Sequence, residues 1–130
     1  MHHEAPSRLL FVSPILPAVT GNGLAMRAGA TLQAFARQFR VTLLVVPRYP
    51  SPAGLSAEIR ACCEEVAVVP AGAWDAAPVR HGAPRWMPRR ARAGQAVRPR
   101  FRDEPYDVVH VFRLAAWPFA RSWLDASPTP

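Results

Sequence analysis

The stretch Arg8-Leu9-Leu10-Phe11-Val12-Ser13-Pro14, followed by Gly21-Asn22-Gly23 and then by Leu24 to Phe39, decides the fold. The first run is almost continuously apolar, which suits a strand covered on both faces. Two prolines, Pro14 and Pro17, fix φ in the connection, and the glycines permit φ > 0. From Leu24 to Phe39, helical spacing puts Ala28, Leu32, Phe35, Ala36 and Phe39 on one stripe, with Gln33, Arg37 and Arg40 turned away. Val41 to Val46 is a second dense, β-branched run. Strand, glycine loop, helix, strand is the opening of a parallel α/β sheet. In such sheets the loop after the first strand lies at the carboxyl edge, where ligands bind.

Working outward, Met1 to Ser7 is a polar lead. Arg48 to Gly54 is a turn region, Ala57 to Cys63 a short helix, and Glu65 to Val69 a third strand. Tyr106 to Phe112 reads as a fourth strand and Leu114 to Leu124 as an amphipathic helix. Between them, residues 71–105 form an irregular Arg/Pro-rich stretch, broken by Pro78, Pro84, Pro88, Pro99 and Pro105. The expectation is one α/β domain over residues 1–130, with a Rossmann-like parallel sheet of about four strands flanked by helices.

Composition narrows the function classes. Half of the residues are hydrophobic, so the chain is not of the disordered kind. The net charge is +7, and all 16 basic residues are arginine. Phosphate contacts tolerate Lys and Arg alike, so a chain without Lys points to coding bias rather than to nucleic-acid binding. Attraction to anionic surfaces, including an acidic membrane, survives that reading. Arg80 to Arg102, with Trp86 and Phe101, mixes charge and rings as single-strand binders do, or reads as a solvated loop. Cys62 and Cys63 are adjacent, which disfavours a disulfide between them, and no zinc spacing is present. They read as small thiols at a helix end in a reducing, cytoplasmic setting. Leu9 to Val19 imitates a signal-peptide core, but Pro14 and Pro17 interrupt it. No run reaches the roughly 18 apolar residues of a membrane span.

The clearest candidate site is Gly21, Asn22 and Gly23 ahead of the helix, with Arg27 one turn in. A helix N-terminus offers unpaired N–H groups and a partial positive charge to a phosphate, and the Asn22 amide could reach a sugar or phosphate oxygen. The same residues also make an ordinary capping turn. A dinucleotide fingerprint does not fit, because its sixth position is Met26 and no acid closes the second strand. His110 in the fourth strand and Arg113 beyond it are secondary ligand contacts, or else a strand histidine and a surface arginine.

These landmarks together resemble a family. Arg8 to Pro14, the Gly-Asn-Gly loop, the Arg27-to-Phe39 helix, Val41 to Pro47 and Tyr106-Asp107-Val108-Val109-His110-Val111 are similar, in order and spacing, to the amino-terminal domain of bacterial GT-B glycosyltransferases of the family-4 kind. The resemblance implies transfer of a sugar from a nucleotide-sugar, as substrate rather than cofactor, to a glycan or lipid-linked acceptor. It also implies retention at the anomeric carbon and, usually, no metal. Gly21, Asn22, Gly23 and Arg27 would lie near the donor phosphate and the acceptor. Many relatives carry a second histidine where this chain has Phe112, so no catalytic residue is carried over. The donor-binding second domain of such enzymes is not within these residues. The chain alone is therefore expected to be inert or nearly so, at the cytoplasmic face of the inner membrane if its acceptor is a lipid. A non-catalytic α/β module binding an anionic ligand or partner, or an incomplete gene product, is the alternative expectation.

Overall fold

A computed structural model describes residues 4–47, 54–69, 106–113, 116, 117 and 120. The described elements are β1 (Arg8–Ser13), α1 (Gly23–Ala36), β2 (Arg40–Val45), α2 (Ala57–Ala61), β3 (Cys63–Val68) and β4 (Val108–Val111). The four strands form one sheet in the order β3-β2-β1-β4, and every pairing is parallel. The domain is thus α/β with a Rossmann-like parallel sheet. The expected irregular stretch over 71–105, with its arginines, lies outside the described residues, as does most of the expected 114–124 helix.

Alternation along the strands builds two cores. Leu9 and Phe11 of β1 and Val41, Leu43 and Val45 of β2 face α1 and α2, where they meet Leu32 and Ile59. Leu10, Val12, Leu44 and Val46 face the other way, onto Val69, Tyr106, Ala116 and Ala120. Both central strands are therefore buried on both faces, as their largely apolar runs, interrupted in β2 by the buried Thr42, lead one to expect. The edge strands β3 and β4 are only partly buried, and their sequences alternate more.

Several element bounds differ from expectation for physical reasons. α1 stops at Ala36, because Gln38 and Phe39 both turn their N–H groups back to the Phe35 carbonyl and tighten the last turn. Phe39 still packs on the core from beyond the helix. Arg40, expected on the outer helix face, instead opens β2, and its N–H donates to the Ser7 carbonyl. α2 ends at Ala61 with Cys62 as its cap, so the two cysteines straddle the junction rather than close the helix. β4 is shorter than expected, with Tyr106 and Phe112 lying just outside it.

β3 starts two residues early because of a bulge. Val41 pairs with Cys63 and Thr42 with Glu65, so Glu64 is an extra residue. The bulge sends Glu64 towards the amino edge, where its oxygens lie 3.9 Å from Arg8 Nε and 3.8 Å from Arg40 Nη1. Arg8 is nearly buried, with its guanidinium 4.7 Å from the centre of the Tyr106 ring. Its N–H donates to Asp107 Oδ2 at 2.8 Å, and the Asp107 N–H donates back to the Arg8 carbonyl at 2.9 Å. Burial raises the Tyr106 phenol above its ordinary pKa, against the opposing pull of Thr42 and Arg8. This amino-edge cluster ties both outer strands to the centre and is a structural clasp.

Candidate ligand edge between β1 and β4

The strand order places a topological switch point. From β1 the chain crosses through α1 to β2 on one side, while β4 lies on the other side of β1. α1, which follows β1, packs on one face of the sheet, while Ala116 and Ala120, which follow β4, pack on the other; in open α/β sheets ligands bind beyond the carboxyl ends of strands whose connections part in this way. Two hydrogen bonds carry the sheet to this edge. The Phe112 N–H donates to the Val12 carbonyl and the Val46 N–H to the Ser13 carbonyl, both at 2.8 Å.

The β1–α1 loop is anchored along its length. Ser13, fully buried, turns the chain at the strand end: its Oγ donates to the Ile15 carbonyl at 2.6 Å and accepts from the Ile15 N–H at 3.2 Å. Pro17 is buried, and Leu16 and Val19 pack against the α1-side core. The Ala18 N–H donates to the Ala25 carbonyl of α1 at 3.0 Å, so the loop lies directly on the helix. Gly29 makes this contact feasible. A Cβ there would stand 2.9 Å from the Ala18 carbonyl carbon and nearer still to its oxygen.

The tip of the loop is exposed and built from the residues singled out in the sequence. Gly21 has φ +99, a left-handed conformation that other residues adopt only under strain. Asn22 is the helix cap. Its Oδ1 accepts from the Leu24 N–H at 2.8 Å and the Ala25 N–H at 3.3 Å. The Asn22 oxygen is thus committed to the helix rather than to a ligand, and two of the first-turn donors are already spoken for. The Gly23 N–H, in the first turn, has no intrahelical acceptor. No acid stands in the first turn of α1, and Arg27 is exposed one turn further on. Asn22→Ala is expected to lower stability by about 1 kcal/mol, read by urea unfolding. A cost near zero would mean the cap is not made in solution.

Beyond the carboxyl end of β4 Arg113 is exposed and has φ 72, a left-handed conformation uncommon outside glycine. It opens a turn closed by the Ala116 N–H donating to its carbonyl at 3.0 Å. Gly21, Asn22, Gly23 and Arg27 therefore share one junction, and Arg113 lies two residues beyond the end of β4. His110 is placed differently. Its ring turns to the α1 side, 5.1 Å from the Phe11 ring and 4.8 Å from the Phe35 ring, and burial pushes its pKa below the ordinary value. The edge offers backbone donors and guanidinium groups, while Glu64, Glu65 and Asp107 stand towards the amino ends of their strands. Guanidinium groups and backbone N–H donors of this kind can pair with an anion or with hydroxyl groups.

Gly29 and Ser13 were not singled out in the sequence, although the small residues Ala25, Ala28 and Gly29 at helical spacing mark a face open to close approach. Cys62 Sγ donates to the Glu58 carbonyl and Cys63 Sγ to the Ile59 carbonyl, and burial pushes the Cys63 thiol up to about 12, which leaves that thiol unreactive near neutral pH. Among the described residues no group of three or more His, Cys, Asp or Glu side chains is placed to hold a metal. Among them, too, no helix is long and apolar enough to cross a membrane. No protein-family model, curated protein or solved structure matches the chain.

Proposed function

We propose that this chain is the acceptor-side, Rossmann-like domain of a two-domain glycosyltransferase. The activity is transfer of a sugar from a nucleotide-sugar to a glycan or lipid-linked acceptor, at the cytoplasmic face of a membrane in the lipid case. The observation that supports the reading is the anchored β1–α1 loop, held on α1 through Ala18 and Gly29, with Gly21 and Gly23 at its exposed tip beyond the carboxyl end of β1. A pre-formed loop of this kind binds a diphosphate or sugar hydroxyls without paying to order itself first. Most donor contacts and the transition-state stabilisation belong to a second domain, so this domain contributes binding and orientation.

The test is an amide-resolved NMR titration of the chain with UDP-glucose, and in parallel with inorganic pyrophosphate. Shifts at Gly21, Gly23 and Arg113 are expected with UDP-glucose at millimolar concentration. Arg113→Ala is expected to weaken that binding about tenfold, the worth of one charge-assisted hydrogen bond. Absence of shifts, or shifts confined to the amino edge, would overturn the reading. Equal binding of pyrophosphate and UDP-glucose would favour a simple anion-binding module instead.

A further inference from the structure

We propose that His110 is a proton-operated pin: its imidazole, laid against Phe11 of β1 and Phe35 of α1, holds β4 on the sheet when neutral and lets β4 go when it takes up a proton. The inference rests on packing and stands apart from the ligand reading above.

β4 is the least secured strand. It has four residues, and among the described residues it pairs only with β1. Asp107 and Val108 at its start are exposed, so beyond the Arg8–Asp107 clasp at the amino edge its docking depends on what its inward side chains touch. Val109 and Val111 pack on one face of the sheet. On the other face His110 is the member of β4 set among aromatic rings, nearly parallel to Phe11 at 27° and tilted to Phe35 at 56°. Phe35 in turn meets Phe39, and Phe11 meets Phe112, so the imidazole joins a continuous aromatic cluster.

His110 is half-buried: a neutral imidazole sits in such a cluster as a flat ring, whereas an imidazolium must give up part of its water to stay there. The charged groups on the packing elements offer no compensation. Arg8 of β1 lies with Tyr106 and Glu64 at the amino edge, Arg27 and Arg37 of α1 are exposed, and Asp107 and Arg113 beside β4 are exposed. None of them sets the proton affinity of His110; burial does, and it lowers it. The sign follows. Below the ordinary histidine value, a released imidazole binds a proton that the packed one refuses. Docking of β4 therefore weakens as pH falls through that value, and the loss levels off below the packed pKa. The attraction of a ring face for a cation works in the opposite direction, and titration decides between them.

The experiment follows the His110 ring by NMR on the whole chain from neutral pH to about pH 5, with amide exchange measured alongside. The ordinary value is taken from a histidine in a short model peptide under the same conditions. The reporter is the Phe112 amide, which donates to Val12, and the control is the Val46 amide, which donates to Ser13 on the β2 side of the same strand. After correction for intrinsic exchange, protection at Phe112 should fall about tenfold for each unit by which the His110 midpoint lies below the ordinary value, and Val46 should hold. His110→Phe should keep Phe112 protected across the range. A His110 midpoint at or above the ordinary value, or a fall at Phe112 that persists in His110→Phe, overturns the proposal. Should His110→Phe not fold, coincidence of the ring and amide midpoints in the unaltered chain supports the pin, and separation of the two refutes it.

Discussion

Phe11→Ala is expected to lower the unfolding free energy by about 3–5 kcal/mol, a large share of the 5–15 kcal/mol typical of a domain. Phe11 is fully buried in the middle of β1. Its ring stacks on Phe112 at 6.1 Å and on His110 at 5.1 Å, and meets Phe35 edge-on at 6.3 Å. Removing it opens a cavity shared by β1, β4 and α1, and the surrounding rings belong to α1 and to β4 with its following residue, which cannot all collapse into it. Phe39→Ala, at the half-buried end of the same cluster, should cost less. Urea unfolding of both variants gives the comparison. A loss under about 1 kcal/mol for Phe11→Ala would mean that the aromatic cluster is not the core of this face.

Gly29→Ala should destabilise by about 1–3 kcal/mol, even though alanine is the better helix former by about 1 kcal/mol. The added Cβ meets the carbonyl of Ala18, which is backbone and cannot rotate away. Ala18→Gly therefore does not rescue the variant, because no side chain is in the way. Relief requires the β1–α1 loop to lift, breaking the bond from the Ala18 N–H to the Ala25 carbonyl. The loop tip would lose its fixed position, so binding at the switch point should weaken along with stability. Urea unfolding reads the first effect and the UDP-glucose titration the second. A gain of about 1 kcal/mol, as at an ordinary exposed helical glycine, would show that loop and helix do not touch.

The strands and the main helix were legible because their burial is extreme. Leu9 to Val12 and Val41 to Val46 are covered on both faces, and a sequence under that demand has little choice but continuous apolar residues. The α1 stripe was legible for the same reason. Element ends were less so. No glycine stops α1, and Phe39 continues its stripe from a turn, so hydrophobic spacing overshoots the helix by one turn. The bulge at Glu64 has no local signature, since it answers to Arg8 and Arg40, which are distant in the chain. At the candidate site, Gly21-Asn22-Gly23 announced its turn chemistry. Whether Asn22 serves the helix or a ligand depends on where its oxygen points. Gly29 reads in sequence as a flaw in a helix and becomes intelligible only with Ala18 beside it. The left-handed backbone at Arg113 is equally silent, because nothing about arginine requests it.

The strand order has a consequence for the chain as it is made. β1 meets β2 across 32 residues, Arg8 to Arg40, but meets β4 across 99, Arg8 to Asp107. Closing the longer span costs about 1 kcal/mol more in chain entropy, so β1, α1 and β2 assemble first. From Val45 to Val108 a ribosome adds 63 residues, about 3–12 s of synthesis. Throughout that interval the flank of β1 that will later receive β4 is an open strand edge, its Arg8 and Val12 carbonyls without the Asp107 and Phe112 N–H groups they later accept from, a template for pairing with any neighbouring nascent chain. The strand that ends at the centre of the finished sheet spends its first seconds as a border.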